Sequence, residues 1–474
     1  TRTMTNMNRR NFLRSGTAAS FLAGTGVLGS LTGGKAFAAD TNGYKALVCI
    51  FLKGGMDHAD TVLPRDQSSF NLLRSARPAL HAAYTNGSRN LANLLPLTPT
   101  NSANFGSRQF GLPQELAGLQ SLFESGEMAI VGNVGPLIQP TTRADLNGSG
   151  VKIPPRLFSH NDQQSTWMSL GVEGAQYGWG GSFADAAIRS NATMNPLYTM
   201  VSAGPNDVFL SGTQARQFTA SPGGAQGIRI IDDPYVFNGD SKYNTARSIM
   251  GDYVKKTGFG EENLFARDYA RQSGNGVVNN RAYDTALKSA PGLTAQFPGS
   301  NYVGSQLRAV ANTISIRDEL NSKRQVFYVF MGDFDTHSGQ AKALPAAHKK
   351  LSDAIVAFRT EMINQGVWND VTLFTMSEFG RTTIDNGDGT DHGWGGHHFV
   401  AGGSVAGQKI YGDIPTPDLD SDTFTSTHGR LIPKVSVEQY AATLGSWFGL
   451  DSGELSAALP NLSNFTEKNL GFLT

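Results

Sequence analysis

The sequence of 474 residues contains one cysteine, Cys49, so the chain cannot form an internal disulfide. Cys49 lies within an apolar segment, and we expect it to be a buried free thiol with no role beyond packing. An excess of charge is also lacking, because 39 basic residues balance 39 acidic ones and neither kind forms a block. The lack of a basic block argues against nucleic acid as a partner, and the lack of an acidic tail argues against disorder.

Long hydrophobic runs are missing as well. The weakly apolar stretch at residues 17–31 is too short and too polar for a stable membrane span. Before it, residues 8–14 contain paired arginines followed by an apolar pair and a basic residue, and after it come the small residues 36–38. This order predicts a twin-arginine signal peptide at residues 1–38, with the twin-arginine translocase as partner during export to the periplasm or cell exterior. The alternative is a disordered or helical N-terminal arm.

The sequence does contain 39% hydrophobic residues, enough for a sizeable core, and 55 glycines, which indicate many tight turns. Continuous apolar runs at residues 44–52, 326–330 and 371–376 are typical of strands buried on both faces of a sheet. Between the last two runs, apolar residues recur at helical spacing within residues 351–362, which predicts the crossover helix of a parallel βαβ unit. We therefore expect residues 39–474 to form an α/β domain with a doubly wound, mostly parallel sheet flanked by helices.

Residues 195–300 have a different composition, with many Asn, Gly, Ser and Pro and few apolar runs. No acidic motif follows a strand-like segment in this interval. We interpret it as an insertion or cap that packs beside the sheet and shapes access to the functional site.

Carboxylate, imidazole and guanidinium groups follow the apolar runs at 326–330 and 371–376, where ligands bind in an α/β sheet. The groups concerned are Asp335, His337, Glu378, Arg381, Asp391, His392, His397 and His398. Carboxylate and neutral imidazole are ligands for divalent cations, and charges gathered at a buried strand end need a cation or a basic partner. The leading hypothesis is therefore a metal-dependent hydrolytic site.

Two further candidates lie earlier in the chain. Asp57 follows the first apolar run beyond Gly54 and Gly55, which let the backbone turn sharply; capping of a turn or helix is the alternative role for Asp57. Ser159 stands where a helix is predicted to begin, so its hydroxyl could be a nucleophile beside the positive end of the helix dipole. An ordinary N-cap is the alternative for Ser159.

Taken together, the motifs resemble those of the bacterial DUF1501 family, which has twin-arginine-exported members related to the alkaline phosphatase and sulfatase superfamily. The matching segments are residues 52–57, 159–160, 332–337, 377–382 and 391–393, in the family's order. The resemblance covers nearly the whole mature chain and implies a doubly wound sheet with a divalent-metal centre at the carboxyl strand ends. It implies the following roles: metal ligands at Asp57, Asp335 and His337, and a nucleophile at Ser159.

The sequence departs from the superfamily pattern at Phe379. The strand there normally ends in Asp-His-Gly but reads Glu378-Phe379-Gly380, and a phenyl ring cannot bind a cation. One standard ligand of a two-metal site is therefore missing, and His392, with Asp391 beside it, could make up the deficit. His397 and His398 begin another apolar run, where strand alternation would point only one of them toward the site.

The resemblance implies hydrolysis of an anionic phosphate or sulfate ester, assisted by Zn, Mn, Mg or Ca. Arg381 could pair with a substrate oxyanion or form a salt bridge to Glu378 or Asp335. His160 could act as a general acid or base, or hydrogen-bond to the backbone of a packed turn. Two alternatives to a hydrolase stay open. One is a degenerate relative that keeps a cation and binds a glycan, a sulfated polymer or a protein; the other is a structural component of an exported assembly.

Overall fold

A computed structural model describes residues 38–84, 87–148, 150–225, 240–256 and 263–474. Residues Ala39–Thr474 belong to one compact unit. The predicted signal peptide lies outside the described residues except for Ala38, so it stays a prediction.

The strands are numbered in chain order. They are β1 (Lys45–Leu52), β2 (Leu63–Pro64), β3 (Leu95–Pro96), β4 (Phe110–Leu112), β5 (Met128–Gly135), β6 (Met200–Ser202), β7 (Phe218–Ser221), β8 (Gly224–Ala225), β9 (Arg324–Met331), β10 (Val371–Met376), β11 (Arg381–Asp385), β12 (Thr390–His392), β13 (Gly396–Gly402), β14 (Ile410–Gly412) and β15 (Val435–Ser436). The α-helices are α1 (His58–Thr61), α2 (Gln67–Ala76), α3 (Pro78–Ala83), α4 (Ala117–Glu124), α5 (His160–Ser169), α6 (Trp179–Ser190), α7 (Asn244–Lys256), α8 (Leu264–Ser289), α9 (Tyr302–Ser315), α10 (Gln340–Asn364), α11 (Val437–Phe448) and α12 (Ser452–Ala458).

The main sheet has ten strands in the order β14-β5-β13-β10-β1-β9-β6-β7-β8, with β15 beside β5. Its centre, from β10 through β1, β9 and β6 to β7, is parallel throughout. β13 runs antiparallel to both of its neighbours, β10 and β5. The mostly parallel α/β sheet predicted from the sequence is therefore confirmed.

Strand β1 shows why the sheet is covered on both faces. Val48 and Ile50 point into a core that includes residues of α4, α9 and α10, whereas Cys49 and Phe51 point into a second core with residues of α5, α6 and α11. All four side chains are buried. An apolar residue at every position from Ala46 to Leu52 is what two cores on opposite faces require. The Cys49 thiol is free, and burial raises its pKa well above its usual value.

The interval 195–300 is divided between the sheet and two helices. β6 lies beside β9 and β7 lies beside β6, so both strands extend the main sheet. α7 and α8 are the two α-helices in its described part, and Tyr283 of α8 packs into the same core as Val48. Residues 226–239 and 257–262 of this interval lie outside the described residues. Across the described ranges, no helix has both the length and the apolar character needed to cross a membrane.

Candidate metal centre

The loops after β1 and β9 and the ribbon formed by β11 and β12 meet beyond the carboxyl ends of the central strands. At Gly54, which has a φ of 120°, an added Cβ would lie 2.1 Å from the backbone nitrogen of Asp335. Only glycine allows so close an approach in that conformation. The Gly-Gly turn after β1 therefore places the loop that carries Asp335.

Three histidines surround the Asp335 carboxylate. The Nε2 atom of His337 lies 3.2 Å and that of His392 lies 3.5 Å from Asp335 Oδ1. The Nε2 atom of His160 lies 3.5 Å from Asp335 Oδ2. The two Nε2 atoms of His337 and His392 are 2.8 Å apart. Three separate parts of the chain thus bring four potential metal ligands to one place.

Each of these imidazole rings is held through its other nitrogen, Nδ1. The acceptors are Glu378 Oε1 for His160 (2.8 Å), Asp391 Oδ1 for His337 (3.2 Å) and the backbone oxygen of Phe158 for His392 (2.7 Å). Carboxylate and carbonyl oxygens only accept hydrogen bonds, so the network assigns the N–H to Nδ1 in each ring. Every Nε2 atom is then left with a lone pair, as in the carboxylate–histidine arrangements that surround bound metals.

These donor atoms fit a divalent cation. In a tetrahedral zinc site with bonds of about 2.0–2.1 Å, neighbouring ligand atoms lie about 3.3 Å apart. The three separations among His337 Nε2, His392 Nε2 and Asp335 Oδ1 are 2.8, 3.2 and 3.5 Å. His160, Asp335 and His392 form a candidate metal site, with His337 at hydrogen-bond distance from two of them.

Arg381 orients Asp335 from the protein side. Its guanidinium donates to Asp335 Oδ1 and to the backbone oxygen of Gly54, each at 2.9 Å, and also to the backbone oxygen of Thr390. The Arg381 side chain is fully buried, whereas 48% of the Asp335 side chain is exposed. Partial burial raises the pKa of Asp335, but the hydrogen bond and charge of Arg381 outweigh it and hold that pKa below its usual value.

Phe379, where the superfamily pattern has a histidine, supports the cluster without binding a cation. Its buried ring stacks on His392 with the centroids 4.5 Å apart and lies 4.9 Å from the His160 ring. The two rings beside it differ electrostatically. The hydrogen bond to Glu378 raises the pKa of His160, whereas burial lowers the pKa of His392.

A family model described as "Protein of unknown function (DUF1501)" matches residues 44–463. The chain belongs to the DUF1501 family. This confirms the resemblance found in the sequence motifs. No curated protein matches this DUF1501 chain at a significant level.

Among solved structures, the DUF1501 chain shows distant likenesses. Ps i-CgsB in complex with k-i-k-neocarrahexaose is 10% identical with a TM-score of 0.35, covering 89% of this chain and 77% of that one. The lipoteichoic acid synthase LtaP from Listeria monocytogenes is 8% identical with a TM-score of 0.33, covering 88% and 77%. The C-terminal periplasmic domain of EcEptC from Escherichia coli, in complex with Zn, is 9% identical with a TM-score of 0.34, covering 88% and 85%. Likenesses this weak carry no argument about activity.

In this DUF1501 chain, Asp57 lies outside the histidine cluster. Its buried carboxylate accepts two hydrogen bonds from Arg77, at 2.7 and 2.9 Å, and one from Gln340 Nε2 at 2.6 Å. It also accepts the amide of Ala59 at 3.1 Å as the N-cap of α1. A buried carboxylate needs a positive partner, and Arg77 supplies it in place of a metal. Asp57 therefore caps a helix, which is the alternative role that the sequence offered for it.

Glu378 and Asp391, both expected to be metal ligands, instead lie behind the imidazoles that face Asp335. Glu378 is fully buried and accepts hydrogen bonds from the amide of Gly54 at 2.8 Å and from Gln164 at 3.3 Å, as well as bonding to His160. All three bonds go to Oε1, so this oxygen orients His160 in the way that carboxylates behind metal-binding histidines do.

Ser159 immediately precedes α5, but its side chain makes no capping hydrogen bond to the helix. Its hydroxyl donates to Asp162 Oδ2 at 2.7 Å.

Arg381, expected to meet either a substrate or a carboxylate, forms the salt bridge to Asp335 at 2.9 Å. Its burial and its contacts leave the guanidinium facing the protein.

His397 and His398 are both buried within β13 and neither belongs to the cluster. His397 Nδ1 accepts the backbone amide of Asn133 at 3.0 Å, so this nitrogen is not free for a metal. The His398 ring lies on the other side of the strand, 4.9 Å from the Trp167 ring. Burial lowers the pKa of both histidines, which keeps them neutral.

Sequence reasoning missed the contributions of Arg77 and Phe158. Phe158 has a φ of 73°, a left-handed conformation that a phenylalanine rarely adopts, and its carbonyl oxygen meets His392. A backbone carbonyl carries no residue-type signal, and Arg77 lies between α2 and α3 in a stretch that has no motif. Its place beside Asp57 depends on the fold.

Proposed function

We propose that this protein is an exported hydrolase of phosphate or sulfate esters that holds a divalent cation between His160, Asp335, His337 and His392. One observation carries the proposal. All three imidazoles are fixed through Nδ1, so their Nε2 lone pairs face a carboxylate that Arg381 keeps ionised. Without a cation or an added proton, the lone pairs of His337 and His392 would repel each other across 2.8 Å.

The groups of the chain would have the following roles in hydrolysis. A bound divalent cation supplies a Lewis acid for the ester oxygens and lowers the pKa of an oxygen nucleophile. Ser159 is the candidate nucleophile because Phe158, which holds His392, and His160 flank it in the sequence. Its hydroxyl already donates to Asp162, so a carboxylate is in place to accept the proton.

Export remains part of the proposal. It is supported by the paired arginines of residues 8–14 and by the small residues 36–38. The twin-arginine pathway carries folded proteins, which suits a protein that takes up its metal before crossing the membrane. Replacing both arginines with lysine (Arg9→Lys, Arg10→Lys) should leave the protein in the cytoplasm, as measured by cell fractionation. Unchanged export would remove this part of the proposal.

A second candidate is a binding protein that retains the cation but has lost turnover. The ring of Phe379 at a ligand position and the burial of Arg381 favour it, because the guanidinium is turned away from an incoming oxyanion. Its partner would be a glycan or a sulfated polymer.

The test combines metal analysis with activity measurements. Purified protein should contain a divalent metal in stoichiometric amount and should hydrolyse aryl phosphate or aryl sulfate esters. Asp335→Asn and His392→Ala should lose metal and turnover, Ser159→Ala should lose turnover alone, and Asp353→Asn, at an exposed carboxylate on α10, should change neither. Metal without turnover favours the binding protein. Turnover that survives in both Asp335→Asn and Ser159→Ala contradicts the assigned site.

A further inference from the structure

A cavity of about 140 Å³ opens at the end of α5 opposite the candidate metal centre. Apolar residues from several segments line it, among them Leu137, Pro155, Leu170 and Val437. Glu438, in the first turn of α11, is the one acidic residue of this lining. The cavity is therefore an apolar pocket with a single carboxyl group.

Glu438 is incompletely satisfied by the protein. Its Oε1 atom accepts a hydrogen bond from Asn461 Nδ2 at 2.8 Å, but Oε2 has no hydrogen-bond partner among the described residues. The residue is only 2% exposed. Burial raises the pKa of Glu438 to about 7, although the side chain of Asn461 and the amides of Asn461 and Leu462 oppose the rise. A buried carboxylate oxygen without a donor is costly, so this position favours a ligand that brings one.

We propose that this cavity binds a small organic ammonium ion, whose N–H groups meet Glu438 and whose apolar body packs against Leu137, Leu170 and Val437. A charged donor is favoured over a neutral one because a charge-assisted hydrogen bond to a carboxylate is about twice as strong. An engineered apolar cavity of roughly 150 Å³ takes up benzene, so the ligand has about the size of a single ring. The inference does not depend on the hydrolase proposal, because no residue of the metal cluster lines the cavity.

Benzylamine is the probe, and isothermal titration calorimetry above the pKa of Glu438 measures its binding. We expect saturable binding to the wild-type protein and binding weaker by about tenfold or more in Glu438→Gln, where the ion pair is lost. Glu467→Gln, which removes the same charge from an exposed position, should bind as the wild type does. Benzyl alcohol should bind more weakly than benzylamine to the wild type.

A second variant fills the cavity and leaves Glu438 in place, so it tests the proposal even if Glu438→Gln fails to fold. Val172 lines the cavity but is 55% exposed, so Val172→Trp should fill the cavity without disturbing Glu438 or the core. We expect this variant to lose benzylamine binding while keeping the wild-type circular dichroism spectrum and Tm. No binding to the wild type, or equal binding to the wild type and Glu438→Gln, would overturn the proposal. Equal binding to benzyl alcohol and benzylamine would show an apolar pocket without cation recognition and would also overturn it.

Discussion

The Nε2 atoms of His337 and His392 lie 2.8 Å apart, while the Nδ1 atom of each ring meets a different acceptor. Two neutral imidazoles held in this way present lone pairs to each other, which is unfavourable unless a proton or a cation lies between them. The adjacent Asp335 carboxylate, kept ionised by Arg381, favours the cation.

Added Zn²⁺ or Mn²⁺ should raise the Tm of metal-stripped protein, because a ligand that binds only the folded state stabilises it. At a hundredfold excess over Kd the gain is about 2.7 kcal/mol. Differential scanning calorimetry should show this shift in the wild type and in the Asp353→Asn control but not in His337→Ala. A shift of equal size in His337→Ala would exclude that residue from the site.

Asp391→Asn should weaken metal binding by roughly 10–100-fold, the usual effect of removing a group that orients a metal-binding histidine. The side chain is 40% exposed, so the free energy of unfolding of the metal-free protein should change little. Competition with a chromophoric chelator measures the affinity, and Asp353→Asn, at an exposed carboxylate on α10, is the matched control. Unaltered affinity would mean that Asp391 does not hold His337.

Arg77→Met should destabilise the protein by about 3–5 kcal/mol, because it leaves the buried Asp57 carboxylate without its positive partner. In urea denaturation, Asp57→Asn combined with Arg77→Met should be less destabilised than the sum of the two single changes. Metal content per folded Asp57→Asn molecule should match the wild type. Loss of metal from that folded variant would restore Asp57 as a ligand.

Gly54→Ala should lower metal affinity and stability together. The new Cβ would collide with the backbone at Asp335, and the φ of 120° is strained for alanine by about 1–3 kcal/mol. Gly292→Ala, where no atom lies within 4 Å of the added Cβ, is the control for the loss of backbone freedom. If Gly54→Ala binds metal as the wild type does, the turn after β1 does not position Asp335.

Glu438 should make stability depend on pH in the absence of an amine. Its pKa is raised by burial from 4.5 to about 7 in the folded protein, so the folded state holds a proton that the unfolded state has released. The stabilising contribution is therefore complete below pH 4.5 and declines until the pH passes about 7. Urea denaturation across this range should show a flatter profile for Glu438→Gln than for the wild type or Glu467→Gln. Parallel profiles for all three would show that the Glu438 carboxyl is not buried in solution.

Much of the architecture could be predicted because it follows from local patterns. Every residue of β1 from Ala46 to Leu52 is apolar, and only a strand covered on both faces buries such a run. The same reasoning predicted polar side chains after β9 and β10, at the edge of the sheet where the structure places Asp335 and His337. It could not show that β13 runs antiparallel between β10 and β5, because pairing direction depends on contacts between distant segments.

The sequence by itself determined that polar side chains such as Asp335 and His337 lie at the carboxyl edge of the sheet, because continuous apolar strands leave polar residues to their ends. Only the tertiary structure decided what each one does there. Glu378 lies behind His160 and Arg77 neutralises Asp57, through contacts between residues 218 and 20 positions apart in the chain. The carbonyl of Phe158 holds His392 by virtue of backbone conformation. Metal ligand, orienting group and buried ion pair use the same residue types, so only their positions in space distinguish them.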